Sequence, residues 1–537
     1  MLTLRRVTVR GLFFVVGCLL GLLYLLDIYG VLRAPDVDAW LGSIPSANEE
    51  QDIRPPQRPS NSAQDQLNQS RQQAVLAATQ HAWRGYSTFA FGKDELQPLS
   101  QSFNGRWGSW AITLLDSLDT LYLMGMEEEY KEAKAFAETI DFEQSPEGHR
   151  LMVFEMTIRA LGGLLGAYEL DHDPMLLRKA REVGDVLSRA FNTTTGLPSG
   201  LLDLNRPGWK HEGSICIAEA GSFQLEFKKL SQLTGDDKYW RIAERASDAL
   251  ENAGRRFQGL YPMYVHVRTG TYNNFSSYSM GAMADSFYEY LLKQYVLSDS
   301  RELKYRERYE LAADTVAEKL VGRSKKGYMY LGRLSSDGST LYREMEHLAC
   351  FYPGVLALGS KALGRPQDLE LAEELAYTCY QTYATSPTGL GPEVFYFPEY
   401  TPRWKAPNAK RQGMPGREDM GITAVDKRYI LRPETVESLF VLYRITGDDK
   451  YQQWGWDIFS AIERHAKVAN GYAALNNVME TNQTENQKDS MESFFLAETL
   501  KYLYLLFSPT DVLPLDQYVF TTEAHPLRVM TQPDVIE

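Results

Sequence analysis

Acidic side chains stand at recurring places in this chain, each at or near the start of an apolar stretch. Glu155 opens FEMTIRALGGLLGAYEL, and Glu219 opens AEAGSFQLEFKKLSQL 64 residues later, the offset that also separates Asp173 from Asp237. Asp285 opens ADSFYEYLLKQYVL, Glu434 and Glu437 lie one turn apart in RPETVESLFVLYRI, and Glu492 and Glu498 flank Phe494. Taken singly, an acid near a helix N-terminus need only complement the macrodipole, worth about 0.3–1 kcal/mol at a surface. As a set that reading weakens, because these stretches are too apolar for surface helices and a buried carboxylate needs a partner. Arg159, four residues after Glu155, and Arg432, two before Glu434, can supply one. Carboxylates, arginines and an aromatic floor make the pocket that cleavage of a glycosidic bond calls for. One acid protonates the leaving oxygen and another activates water.

Such acids need a scaffold that turns many helix starts toward one place. From about residue 76 onward, apolar residues recur at i, i+3, i+4 and i+7 in segments bounded by Gly, Asp or Pro, and strand-like alternation is scarce. One turn is written twice: Leu233-Thr234-Gly235-Asp236-Asp237-Lys238-Tyr239 returns as Ile445-Thr446-Gly447-Asp448-Asp449-Lys450-Tyr451. Gly ends one helix there and the acidic pair starts the next. Looser versions follow near Met124, Leu170, Leu297 and Gly364. A recurring helical pair stacks into an open solenoid or closes into an alpha/alpha barrel. Closure buries both faces of the inner helices, matching their nearly all-round hydrophobicity, and the apolar stretch from Met491 to Phe507 can close the ring.

The chain has 537 residues, 44% of them hydrophobic and 12% aromatic, enough for a large core. A net charge of -14 argues against a nucleic-acid partner, since a phosphate backbone rewards a basic face. A neutral sugar fits without strain. The four cysteines, Cys18, Cys216, Cys350 and Cys379, allow at most two bridges, so this is no disulfide scaffold. Residues 11–26 carry no charged side chain and follow Arg5, Arg6 and Arg10, which marks an anchor or a signal peptide. No obvious small-residue cleavage site follows, and Arg33 and Pro35 come directly after the run, which favours retention. The expected layout is a cytosolic tail over 1–10, a single transmembrane signal anchor over 11–32, a flexible stem over 33–75 rich in Pro, Ser, Asn and Gln, and a catalytic domain over 76–537. Sequons at Asn68, Asn192, Asn274 and Asn482 are compatible with a secretory lumen.

Seven motifs in order make the chain similar to glycoside hydrolase family 47, the class I alpha-1,2-mannosidases, over residues 76 to 527. They begin with Arg106-Trp107-Gly108 and Thr113-Leu114-Leu115-Asp116-Ser117-Leu118-Asp119-Thr120-Leu121, then Phe154-Glu155 with Thr157-Ile158-Arg159 and Leu161-Gly162-Gly163-Leu164. Ala284-Asp285-Ser286 with Tyr288-Glu289-Tyr290, and His347-Leu348 with Cys350-Phe351 and Pro353-Gly354, follow. Arg432-Pro433-Glu434-Thr435-Val436-Glu437-Ser438, Glu492-Ser493-Phe494-Phe495 and Thr522-Glu523-Ala524-His525-Pro526 complete the series.

The resemblance implies an all-α (α/α)7 barrel, an inverting mechanism and one Ca2+ at the barrel floor. It makes Glu155 the general acid acting through a water, Glu434 the base and Asp285 the third essential carboxylate, with Glu155 and Asp285 both open as proton donor. Thr522 would bind the metal through hydroxyl and carbonyl oxygens, with Glu219, Glu437, Glu498 and Glu523 holding its waters; oxygen donors fit calcium better than zinc. Arg159, Glu219, His347, Arg432, Glu437, Phe494 and Glu498 would bind substrate, Phe494 as the platform beneath the mannose ring. An ordinary core phenylalanine and a satisfied structural histidine are the plainer readings of Phe494 and His347. Asp116 and Asp119 read as helix-packing or capping groups. Cys350 and Cys379 would form the family disulfide, worth roughly 3–4 kcal/mol by loop entropy, leaving Cys216 free. Met283 departs from endoplasmic-reticulum members, which carry arginine there, so branch selectivity should relax. The implied activity is removal of terminal alpha-1,2-mannose from high-mannose N-glycans in N-glycan processing, by a monomeric type II membrane protein of the endoplasmic reticulum or Golgi. A lectin-like factor of the same fold in ER-associated degradation is the alternative.

Overall fold

The apolar stretches that carry the acids fold as helices in a computed structural model of the protein, which describes residues 62–144, 148–397 and 421–531. The anchor expected over 11–32 lies outside the described residues. Among those described, no helix is long and apolar enough to cross a membrane. Helices with an amphipathic face alternate along the chain with helices buried on nearly every side. The first kind comprises α1 (Ser62–Phe89), α4 (Glu127–Thr139), α6 (Pro174–Ser188), α9 (Lys238–Asn252), α11 (Leu303–Lys319), α13 (Pro366–Ala384) and α15 (Lys450–His465). The second comprises the short pair α2 (Ile112–Asp116) and α3 (Leu118–Leu123), the composite α5 from Val153 to Asp171, α7 (Ile217–Gly221) with α8 (Gln224–Thr234), α10 (Asp285–Leu297), α12 (Tyr352–Leu363), α14 (Glu434–Thr446) and α16, running from Phe495 to Leu506.

The buried helices make a closed ring. Contacts run from α3 to α5, α8, α10, α12, α14 and α16, and α16 returns to α2 and α3, so the open solenoid is excluded and the chain is a helical barrel. Six of the amphipathic helices cover the ring from outside by packing on a neighbour in sequence, as α9 does on α8 and α15 on α14, whereas α1 packs on α16. Packing this tight explains Leu161-Gly162-Gly163-Leu164: a Cβ at Gly163 would lie 2.2 Å from the Leu115 carbonyl oxygen, and one at Gly162 would lie 2.6 Å from the His525 ring. The His525 contact belongs to a hairpin, Tyr518–Phe520 paired with Pro526–Arg528, which touches α5 and α10 on the ring's inner side. The repeated turn folds as read, with Gly235 and Gly447 in the left-handed conformation after α8 and α14. The first aspartate of each pair does the capping: Asp236 and Asp448 accept from the amides of Lys238 and Lys450 at 3.2 and 2.9 Å.

Three features differ from the sequence reading. Antiparallel hairpins with strands of two to four residues lie between the helices, too short for a period of two to register. The helix that begins the fold starts at Ser62, inside the stretch assigned to the stem. Three of its polar residues bond to the rest of the fold: Asn68 donates to Gln452 at 3.2 Å, Arg71 to Gln453 at 2.6 Å and Gln72 to Ser508 at 2.7 Å. The Arg71 guanidinium also lies over the Trp456 and Phe507 rings. Asn68 is therefore a buried sequon, whereas Asn192, Asn274 and Asn482 are exposed. The expected disulfide is present, Cys350 to Cys379, joining the turn before α12 to α13, and Cys216 is free and buried.

Candidate active site

Glu155 and Arg159 come from α5, which begins as α-helix at Val153–Glu155, widens to a π-helix over Met156–Leu161 and returns to α-helix at Gly162–Asp171. Single π turns of this kind concentrate at functional sites. Arg159, 7% exposed, donates from Nε to Glu155 Oε2 at 2.8 Å and from Nη1 to Ser493 Oγ at 3.0 Å and to Glu523. Beneath it lies an ion network among residues that the sequence reading took for packing or capping groups. Asp116 accepts from Arg159 at 3.4 Å and from Ser493 at 2.5 Å, and Asp119 accepts from Lys501 at 2.9 Å. His525 bridges the two aspartates, Nδ1 to Asp119 at 2.9 Å and Nε2 to Asp116 at 3.2 Å. Burial opposes charge on that imidazole, yet the aspartates hold its pKa above the ordinary histidine value. Asp116 and Asp119 thus support Arg159 and the hairpin turn that carries Thr522.

Across the pocket, Glu434 is the first residue of α14 and meets two cations or donors. Arg432 Nη1 is 3.6 Å from Oε1, and His347 Nδ1 is 2.7 Å from Oε2. Burial would raise the Glu434 pKa, but Arg432 and His347 hold it below the ordinary glutamate value. Arg432 is itself held by Glu393, which accepts from Nε at 2.8 and 2.9 Å. Phe494, 8% exposed, lies between the halves, its ring centroid 6.0 Å from the Arg159 guanidinium and 5.8 Å from that of Arg432. His347 thus touches Glu434 directly, from the 3-10 turn His347–Phe351 that the disulfide joins to α13.

The remaining carboxylates, Glu523 with its Arg159 contact included, are raised rather than lowered. Asp285, half-buried at the start of α10, is pushed up to about 7, first by desolvation and then by Glu289, Glu346 and Glu434. Glu437, Glu498 and Glu523 are all raised well above the ordinary value, by burial and by repulsion among neighbouring acids. Lys293 stands 3.9 Å from Glu437, and Tyr502 donates to Glu437 at 3.5 Å. Burial also raises Glu219, which forms a capping box with Cys216. Thr522 is half-buried on the turn next to Glu523, and its backbone amide donates to the Tyr290 oxygen at 3.2 Å. Thr522, Glu219, Glu437, Glu498 and Glu523 all offer oxygen atoms.

One network therefore joins Glu155, Arg159, Glu523, Phe494, Arg432, Glu434 and His347 by contact, and Asp285, Glu437, Glu498 and Glu219 by charge. Sequence reasoning missed the contacts of Asp116, Asp119, Lys501 and Glu393. The first two stood in a quoted motif; the others carry no local signal, because each acts on a residue far away in the chain.

The sequence pattern of glycosyl hydrolase family 47 matches residues 78–529. The human "Endoplasmic reticulum mannosyl-oligosaccharide 1,2-alpha-mannosidase" is 40% identical over 91% of this chain and 68% of its own length. "Mannosyl-oligosaccharide 1,2-alpha-mannosidase MNS1" of Arabidopsis thaliana is 40% identical over 88% of this chain and 81% of its own. Among solved structures, the alpha-1,2-mannosidase from Trichoderma reesei superposes with a TM-score of 0.80 at 33% identity, covering 86% of this chain and 99% of that one. A match over so much of the chain, with relatives this close, leaves one conclusion about its descent: the protein belongs to glycosyl hydrolase family 47.

Proposed function

We propose that this chain is a mannosyl-oligosaccharide 1,2-alpha-mannosidase, which hydrolyses terminal alpha-1,2-linked mannose on high-mannose N-glycans. The relatives' activities support the substrate. The observation that carries the chemistry is the opposed state of two pocket carboxylates, Glu434 held ionised by Arg432 and His347 and Asp285 pushed up to about 7. Inverting hydrolysis needs that division, a carboxylate to take a proton from water and a carboxylic acid to give one to the leaving oxygen. Glu434 is the base. Glu155, oriented by Arg159 and acting through a water, and Asp285 are the two groups open as the proton donor, and Phe494 forms the floor under the sugar ring. The value near 7 favours Asp285.

The oxygen donors of Thr522, with Glu219, Glu437, Glu498 and Glu523 around it, fit a hard cation such as calcium. As the family resemblance implies, Thr522 would hold it directly and the glutamates through water. When bound, the ion supplies positive charge and a grip on sugar hydroxyls; Thr522 presents oxygens to it, and the glutamates orient its waters. The helical order is that of an (α/α)7 barrel, tethered in the secretory pathway by the segment 11–32. Met283, 44% exposed two residues before Asp285, leaves out the guanidinium that would choose among branches, so more than one mannose is removed.

Digestion of a nine-mannose glycan by the wild type and by Glu434→Gln tests the reading. Free mannose is expected from the wild type, in amounts above one per glycan, and almost none from the variant. Arrest after one defined mannose would remove the selectivity argument, and glycan binding without turnover would turn the assignment toward a lectin.

A further inference from the structure

His347 meets different partners at its two nitrogens. Nδ1 lies 2.7 Å from Glu434 Oε2, while Nε2 lies 2.5 Å from the Tyr383 hydroxyl and 3.2 Å from the Thr435 hydroxyl. An ionised carboxylate only accepts, so a bond at 2.7 Å places the ring hydrogen on Nδ1. Nε2 of the neutral ring is then an acceptor, and Tyr383, reaching in from α13, stands closest to donate. Histidine, tyrosine and carboxylate are all buried, where a mismatched donor or acceptor is costly.

We propose that Tyr383 is a positioning residue for the Glu434 base: its hydroxyl donates to Nε2 of His347, fixing the ring hydrogen on Nδ1 where it donates to the carboxylate. This rests on the reading of Glu434 as base. Tyr383 acts through the histidine, in the way a second hydrogen bond selects a catalytic tautomer. The groups facing this relay are Arg432 and Glu393 beside Glu434, Asp285 on α10, Glu437 one turn along α14, Glu498 on α16, and Tyr429 against Tyr383. With Phe at 383, the ring hydrogen is free to move to Nε2 and bond to Thr435. The Nδ1 lone pair then opposes the carboxylate, and Glu434 takes a proton more readily.

The test is kcat/KM for alpha-1,2-mannobiose against pH, with wild type, Y383F and Glu434→Gln. For Y383F we expect kcat to fall about tenfold with KM nearly unchanged, and the acid limb to move up by about one pH unit. A Y383F profile that superimposes on wild type, while Glu434→Gln is inactive, overturns the role of Tyr383; an active Glu434→Gln overturns the base assignment instead. Should Y383F not fold, the imidazole 15N spectrum of the wild type decides, with His347 assigned by difference from H347Q. The neutral Nδ1–H tautomer supports the proposal, and hydrogen on Nε2 refutes it.

Discussion

Glu434 and Asp285 begin two inner helices of the same ring, and desolvation pushes both carboxyls toward the protonated form. What separates them is the company each keeps. Arg432 and His347 reverse the push at Glu434, whereas Asp285, bonded to the Ser286 amide at 2.8 Å, faces Glu289, Glu346 and Glu434 and stays near 7. The fold supplies a common environment, and one guanidinium and one imidazole turn it into two chemical roles.

The harshest test of that contrast is Glu434→Gln. If the ionised carboxylate is the base, kcat falls about 10²–10⁴-fold while KM changes little, as initial rates on alpha-1,2-mannobiose would record. Next in size is the cation. Burial and mutual repulsion raise Glu437, Glu498 and Glu523, so chelation by EDTA should abolish turnover and lower the melting temperature, and calcium should restore both. Undiminished activity in EDTA would mean the acids balance without an ion. Arg432→Gln strips Glu434 of its strongest counter-charge, and the acid limb of kcat/KM is expected about 1–2 pH units higher. An unmoved limb would shift the credit to His347.

The smallest effect is on stability. Asp285 has a folded-state pKa near 7 against 3.8 unfolded, so between those values the folded chain binds a proton that the unfolded chain does not. Its contribution therefore weakens as pH rises through that window. The melting temperature of the wild type should drop more between pH 5 and 7 than that of Asp285→Asn, and equal slopes would show that the raised value is wrong.

Much of this was legible beforehand, and the reasons for the rest are physical. Helix starts with acids can be read because the apolar period of a buried helix is strong over a dozen residues, and the repeated Gly-Asp-Asp turn punctuates it. The π segments of α5 and α16 leave no comparable trace, since one extra residue per turn does not disturb an apolar run. Asn68 and Arg71 resembled linker because their partners are the side chains of Gln452 and Gln453, not an apolar face of their own helix. The support of Arg159 by Asp116, Glu523 and Ser493, and the approach of Tyr383 to His347, exist only once distant segments meet. The boundary at 76 failed for the same reason.

The first helix has a consequence for how the protein is made. Gln72 is bonded to Ser508, a partner that lies 436 residues further on. At about 5–20 residues per second, a ribosome needs on the order of 20–90 s to deliver it, so α1 must wait with Trp456 and Phe507 still to come. Closure of the barrel therefore waits until α16 has been made, with the first described helix docking on it. The catalytic pocket, in which Arg159 contacts Glu523 364 residues away, comes into being at that same late moment.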